Sequence, residues 1–323
     1  MQIWALIVDS FRESRDKKLF WIMLVISTLA AGGLACVGFD EEGWSFLFGL
    51  IRVPDPEVVR GSEGAAAVMG ALVSNLLIGS YIGWLGVVVC LIATAGMFPD
   101  FLQRGSIGVV LGKPMSRAAI FAAKYTGSLV FVLVQAAYFV VLTLVILRCQ
   151  MGRWLWGYLW AVPLLVALFS YVYCVGALVA VWSRSTLASL ICALLFWASV
   201  AGVARMESQW GWWEAGRGAA RRLRWQERDT LGKAILALHL VLPKTGDVET
   251  IVGRQIEAQR IDEFVAQMPG SGGGAMSAEE RRRLRLEGDR LQAVSAATSV
   301  TGSLAFEGVV LLFAWWVFRR KDF

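Results

Sequence analysis

The stretch YTGSLVFVLVQAAYFVVLTLVIL, residues 125–147, decides the fold class. It contains no charged side chain, and at 1.5 Å per residue a helix of this length covers the roughly 30 Å hydrocarbon core of a bilayer. Lipid offers no water to backbone amides, so such a segment satisfies them internally as a helix. The rest of the chain agrees. Apolar residues make up 57% of its 323 residues and charged residues 17%, whereas soluble domains run at roughly 45–50% and about 25%. This composition excludes a disordered chain, a disulfide scaffold and a nucleic-acid binder, although the formal net charge is +6. In a membrane protein, an excess of Lys and Arg first reports orientation.

Working outward, five more stretches are long and apolar enough to span. They are residues 19–39, 78–98 (inside the uncharged run 64–99), 156–183 with Pro163 near the start, 185–204, and 297–318. Only the last is interrupted by a charge, at Glu307. The expected fold is an all-α integral membrane protein with six transmembrane helices. Residues 1–204 hold a surface helix and spans one to five, 205–294 form a mostly helical extracytoplasmic segment, and 295–323 hold span six and a tail. The short flanks fix the orientation. With the N-terminus inside, twelve Lys and Arg face the cytoplasm and four, Arg52, Arg60, Arg148 and Arg153, face out. Both termini are therefore expected in the cytoplasm of a cell whose plasma or inner membrane holds the protein.

Ile3, Trp4, Ile7 and Phe11 share one helical face, with Arg12, Glu13, Lys17 and Lys18 following, which predicts an amphipathic helix on the inner bilayer surface. The head is not expected to be a cleaved signal, because its charges follow an apolar stretch and the first span is too long for a signal core. The five cysteines lie in or beside uncharged stretches with no CxxC spacing, as packing residues do. His239 is the only histidine, so neither a metal site nor a histidine-dependent protease site is expected. In the 205–294 segment, Trp210, Trp212 and Trp213 look like interfacial anchors, residues 231–242 are apolar but too short to cross, and 248–268 read as an amphipathic helix. PGSGGG, residues 269–274, breaks the segment, and Ser277 with Glu280 makes a capping-box pattern for a helix running into span six.

The stretch between spans two and three, FPDFLQRGSIGVVLGKPMSRAAIFAAKYTG (residues 98–127), is the most informative for function. Pro114 stops one helix, Ser116 can cap the next, and Lys113, Arg117 and Lys124 offer a basic surface to a soluble partner. The stretch resembles the permease subunits of type-2 ATP-binding-cassette (ABC) exporters. In that family an acid-containing turn, an Arg/Gly/Ser-or-Thr element, a Leu, a Pro-x-Ser-Arg signature and a Lys follow in order. They correspond here to Asp100, then Arg104, Gly105 and Ser106, then Leu111, then Pro114, Ser116 and Arg117, then Lys124. The head, with Arg12 and Glu13, is similar to the family's N-terminal surface helix, and the FRRKDF ending also fits.

The resemblance implies a separate ABC ATPase chain docking on the inner loops and a second permease chain, identical or homologous. ATP would be bound by the partner, and this chain would carry no cofactor or catalytic site. Its own sequence agrees, for Gly112-Lys113 is followed by Pro and Gly232-Lys233 by Ala, so no GxxxxGK[ST] phosphate loop exists. The alternative is a membrane scaffold or sensor that transports nothing. An ion-coupled secondary transporter would need several intramembrane acids and inverted repeats.

Glu307 lies twelve residues before Arg319, about 18 Å deep. A charge there costs at least about 2.5 kcal/mol, so it is expected to face protein or a wet cavity. Ser299 and Ser303 precede it on the same helical stripe, and Gln135, eleven residues after Lys124, is the polar candidate at matching depth. The group serves either the substrate path or packing.

Overall fold

The computed structural model describes residues 12, 18–40, 43–47, 49–55, 68, 72, 84–102, 116–151, 154, 156–215, 242–243 and 300–321. Helices α1 (Lys18–Ala35), α2 (Gly86–Thr94), α3 (Met97–Phe101), α4 (Arg117–Met151), α5 (Ala161–Ser183) and α6 (Thr186–Ala215) precede α7, described as Val300–Arg320. Among the described residues four helices are long and apolar enough to cross a membrane: α4, α5 with the 3-10 turn Trp156–Trp160 before it, the Thr186–Val203 part of α6, and α7. The apolar stretches Phe20–Ala35 and Gly86–Phe101 are shorter.

Each boundary has a local cause. Pro163 is tolerated in the first turn of α5, where its missing N–H has no intrahelical partner to lose. At the other end of α5, Arg184 adopts a left-handed conformation (φ 55°) and its N–H bonds the Ala180 carbonyl at 2.9 Å, closing the helix. One residue on, the Ser185 hydroxyl accepts from the Ala188 N–H at 3.4 Å and starts α6. The α5–α6 hairpin thus turns within two residues, and small side chains let its helices approach closely. A Cβ on Gly176 would lie 3.3 Å from the Ala193 Cβ, and the Ser189 hydroxyl donates to the Gly176 carbonyl at 2.7 Å.

α1 runs parallel to α4. Phe20 meets Phe131 at 5.8 Å between ring centroids, Gln135 donates to Ser27 at 2.8 Å, and Gln150 donates to the Leu34 carbonyl at 2.7 Å. α7 runs antiparallel to α4, with Phe318 against Phe121 at 5.8 Å and Arg319 against Arg117. The start of α1 and α4 and the end of α5 and α7 therefore share one end of the bundle.

At the opposite end the chain departs from the expected all-α architecture. Strands β1 (Val37–Phe39), β2 (Gly43–Phe46) and β3 (Ile51–Pro54) form an antiparallel meander in the order β1-β2-β3. Its register sets Val37 opposite Phe46, and Trp44 opposite Val53. Aromatic and β-branched side chains favour the pleated surface once the chain has left the bundle, so the helix expected over residues 19–39 ends at Ala35. Three other boundaries differ from expectation. The helix expected over 78–98 breaks at Ala95–Gly96, that over 125–147 extends outward to 117 and 151, and that over 185–204 continues to Ala215, with Trp210, Trp212 and Trp213 in it. The surface helix apart from Arg12 and Lys18, the 216–241 and 244–299 segments, and the loop 103–115 lie outside the described residues.

Gly43 holds the meander together. Its φ is +153°, and a Cβ there would lie 2.3 Å from the Val53 carbonyl oxygen and 2.6 Å from the Asp55 nitrogen, both immovable backbone. Gly43→Ala is expected to open the β2–β3 pair, read as faster tryptic cleavage after Arg52 with the bundle still folded. An unchanged cleavage rate would contradict the close approach.

A buried carboxyl node and a cationic clasp

Glu307 is 8% exposed, in the middle of α7. Two hydroxyls from two other helices converge on one of its oxygens, Oε1. The Tyr125 hydroxyl on α4 donates at 2.8 Å, and the Ser170 hydroxyl on α5 donates as well. Tyr125 has a single proton, and its contact with the Ser170 carbonyl is longer, at 3.1 Å, so the carboxyl is the closer acceptor. Both lone pairs of Oε1 are thereby used.

Aromatic rings enclose this node. Tyr125 stacks on Tyr173 (centroids 5.6 Å apart, planes at 24°), and Phe169 stacks on Tyr173 at 5.0 Å. The Ser128 hydroxyl gives its proton to the Lys124 carbonyl at 3.2 Å, so the Tyr173 hydroxyl, 2.9 Å from it, supplies the other hydrogen. Ser303 is buried one turn before Glu307.

Gln135, expected near Glu307, is instead committed to α1, where its amide donates to Ser27. The depth origin explains the difference. Counting from Lys124 assumes that this lysine marks the interface, but α4 begins at Arg117, and Lys124 is buried with its Nζ 5.0 Å over the Phe101 ring. Measured from Arg117, Gln135 sits about 10 Å deeper than expected, and Tyr125 comes level with the lower part of the span. Tyr125 and Ser170 were legible only as polar residues inside apolar runs, a signal shared with several others.

Lys124 therefore does not contribute to a basic surface. Ser116 caps α4, accepting from the Ala119 N–H at 3.2 Å. The Arg117 guanidinium reaches across to the end of α7, donating to the Arg319 and Lys321 carbonyls, each at 3.0 Å. Lys321 in turn donates to the Val181 and Trp182 carbonyls at 2.8 and 2.6 Å, at the end of α5. Each cation meets carbonyls that a helix end leaves unpaired, where the helix dipole is also negative. Burial, and secondarily the neighbouring Arg184 charge, lower the pKa of the Lys321 amine from 10.5.

Helices α4, α5 and α7 are thus joined twice, at mid-bundle through Glu307 and at the end through Arg117 and Lys321. Asp100, half-buried, lies within α3, and a Cβ on Gly96 would lie 2.9 Å from its carboxylate oxygen. Arg12 and Lys18 are exposed. Arg104, Gly105, Lys113, Pro114, Glu13, Lys17 and Ser299 lie outside the described residues.

Among the described residues no group of three or more His, Cys, Asp or Glu is placed to hold a metal ion. No family model matches the chain, and no curated protein matches it.

The node predicts unequal costs for two tyrosine hydroxyls. Tyr125→Phe, which strips a donor from a buried carboxyl, should lower unfolding stability by about 1–3 kcal/mol. Tyr138→Phe, which loses a 2.8 Å bond to Thr28 on the exposed side, should cost about 0.5 kcal/mol. Equal losses in detergent unfolding would contradict the node.

Proposed function

We propose that the chain is the permease subunit of a type-2 ABC exporter, moving a substrate across the cell membrane under the ATP cycle of a separate ATPase chain. In this reading six helices span the bilayer, both termini are cytoplasmic, and the 205–294 segment lies outside. A second permease chain, identical or homologous, completes the pathway. This chain contributes no nucleotide site of its own.

The observation that carries the reading is where the signature-like loop ends. Its Pro-x-Ser-Arg element ends in Ser116, which caps α4, and Arg117, which starts it and grips the end of α7. Two turns further along α4, Tyr125 holds Glu307 on that same α7. A force applied to the loop by a soluble partner would therefore reach both attachments of α7 through one rigid helix. A scaffold needs no such path; a machine driven from its cytoplasmic side does.

The test uses loop residues that precede the clasp. Arg104→Glu with Lys113→Glu should abolish co-purification with the ABC ATPase that the wild-type chain recruits from its native membranes, and the stimulation of its ATP hydrolysis, while the permease elutes unchanged from size exclusion. Normal co-purification and stimulation would overturn the docking assignment. A wild-type chain that recruits no ATPase would overturn the transport reading.

A further inference from the structure

The three-stranded meander is apolar at one end and acidic at the other. Val37, which opens β1, lies opposite Phe46, which closes β2, and Phe46 lies opposite Ile51, which opens β3. The end of the meander that adjoins α1 therefore carries Phe46, Leu47, Leu50 and Ile51. The far end carries Asp40, Gly43, Pro54 and Asp55, and Glu41 and Glu42 follow Asp40 in the chain. Trp44 and Phe46 pack on the bundle, with their ring centroids 4.7 Å apart. Leu47, Leu50 and Ile51 are exposed, Leu50 to 84%.

The β2–β3 tip satisfies part of its own backbone, as a segment entering lipid must. The Gly49 N–H bonds the Phe46 carbonyl at 3.2 Å, and the Leu50 N–H bonds the Leu47 carbonyl at 3.3 Å. Leu47 is held in the left-handed region, at φ 52°, which a bulky apolar residue rarely adopts. Three neighbouring apolar side chains left open to water mark a surface that has a partner.

The height of the tip identifies that partner. Gln150 on α4 donates to the Leu34 and Val37 carbonyls, so the junction of α1 and β1 is level with Gln150. This residue lies three positions past the uncharged run 125–147 of α4, about 4.5 Å beyond it. The same end of α4 carries an aromatic belt. Arg148 lies 5.9 Å over the Trp154 ring, Trp154 stacks on Trp156 at 5.3 Å, and both indoles are exposed. Tryptophans at the end of a membrane-crossing helix sit at headgroup level. An apolar tip at that depth, with acids at the opposite end of the same strands, matches the step in polarity at a bilayer surface.

We propose that Leu47, Leu50 and Ile51 insert into the boundary between headgroups and acyl chains, so that the β2–β3 tip anchors this end of the bundle in the lipid surface. The anchor needs only a bilayer around α4, and it stands apart from the transport reading.

The test uses the full chain in phosphatidylcholine vesicles, with Cys36, Cys149 and Cys192 replaced by Ser so that one introduced cysteine carries a polarity-sensitive NBD fluorophore. Two quenchers are compared: iodide on both sides of the membrane, and lipid spin-labelled near the headgroup. A label on Leu50→Cys should be quenched by the spin-labelled lipid and several-fold less by iodide than a label on Asp40→Cys, where the order should reverse. Should Leu50→Cys fail to fold, Ile51→Cys carries the same expectation. Equal iodide quenching at the two ends of the meander would place the tip in water and overturn the anchor. Protection of the tip label from both quenchers would mean that protein covers it, a second copy or another segment of this chain, and would overturn the anchor as well.

Discussion

A carboxyl group placed halfway along an apolar helix is the constraint on which the rest of this structure depends. Left against lipid, a charged Glu307 would cost at least about 2.5 kcal/mol, more than a typical interhelical hydrogen bond returns. Two donors from two helices, with the rings of Tyr173 and Phe169 stacked beside them, offset that cost. The price is geometric: α4, α5 and α7 must keep the depth and rotation that bring Tyr125 and Ser170 to one oxygen. A helix bundle held only by apolar packing has no such reference point, because lipid tails and leucines attract one another about equally.

The clasp at the bundle end supplies the second fixed point. Arg117 and Lys321 each span from one helix to the terminal carbonyls of another, and together they order α4, α7 and α5 around a single junction. Two attachments on each helix, one at mid-depth and one at the end, resist both sliding and tilting. In the exporter reading proposed above, this makes α7 the element that follows α4. The tight α5–α6 hairpin, turned by Arg184 and Ser185, brings α6 along with α5.

Much of the helical architecture was legible because hydrophobicity at this length has few alternatives in a bilayer. The uncharged run at 125–147 and the Pro163-containing run at 156–183 became long helices, and Ser116 capped α4 as its position suggested. What the sequence concealed came from tertiary choices. Lys124 looks like an interfacial lysine, yet Phe101 draws it into the protein, and this displaced every depth counted from it. Val37 to Phe39 continues an apolar run, and only pairing with Trp44 and Phe46 makes it a strand. Glu307 announced a need for partners without naming them. Tyr125 and Ser170 are brought together from positions 45 residues apart by the crossing of two helices, which periodicity within one helix cannot report.

The central claim is that Tyr125 and Glu307 act as one unit in holding α4 to α7. A double-mutant cycle of Tyr125→Phe and Glu307→Gln, followed by reversible unfolding in mixed micelles, measures that directly. The account predicts strong non-additivity: once either partner is changed, changing the other should cost little more, with a coupling of about 1 kcal/mol or above. Additive losses would mean that the two side chains stabilise the bundle separately, and would contradict the node.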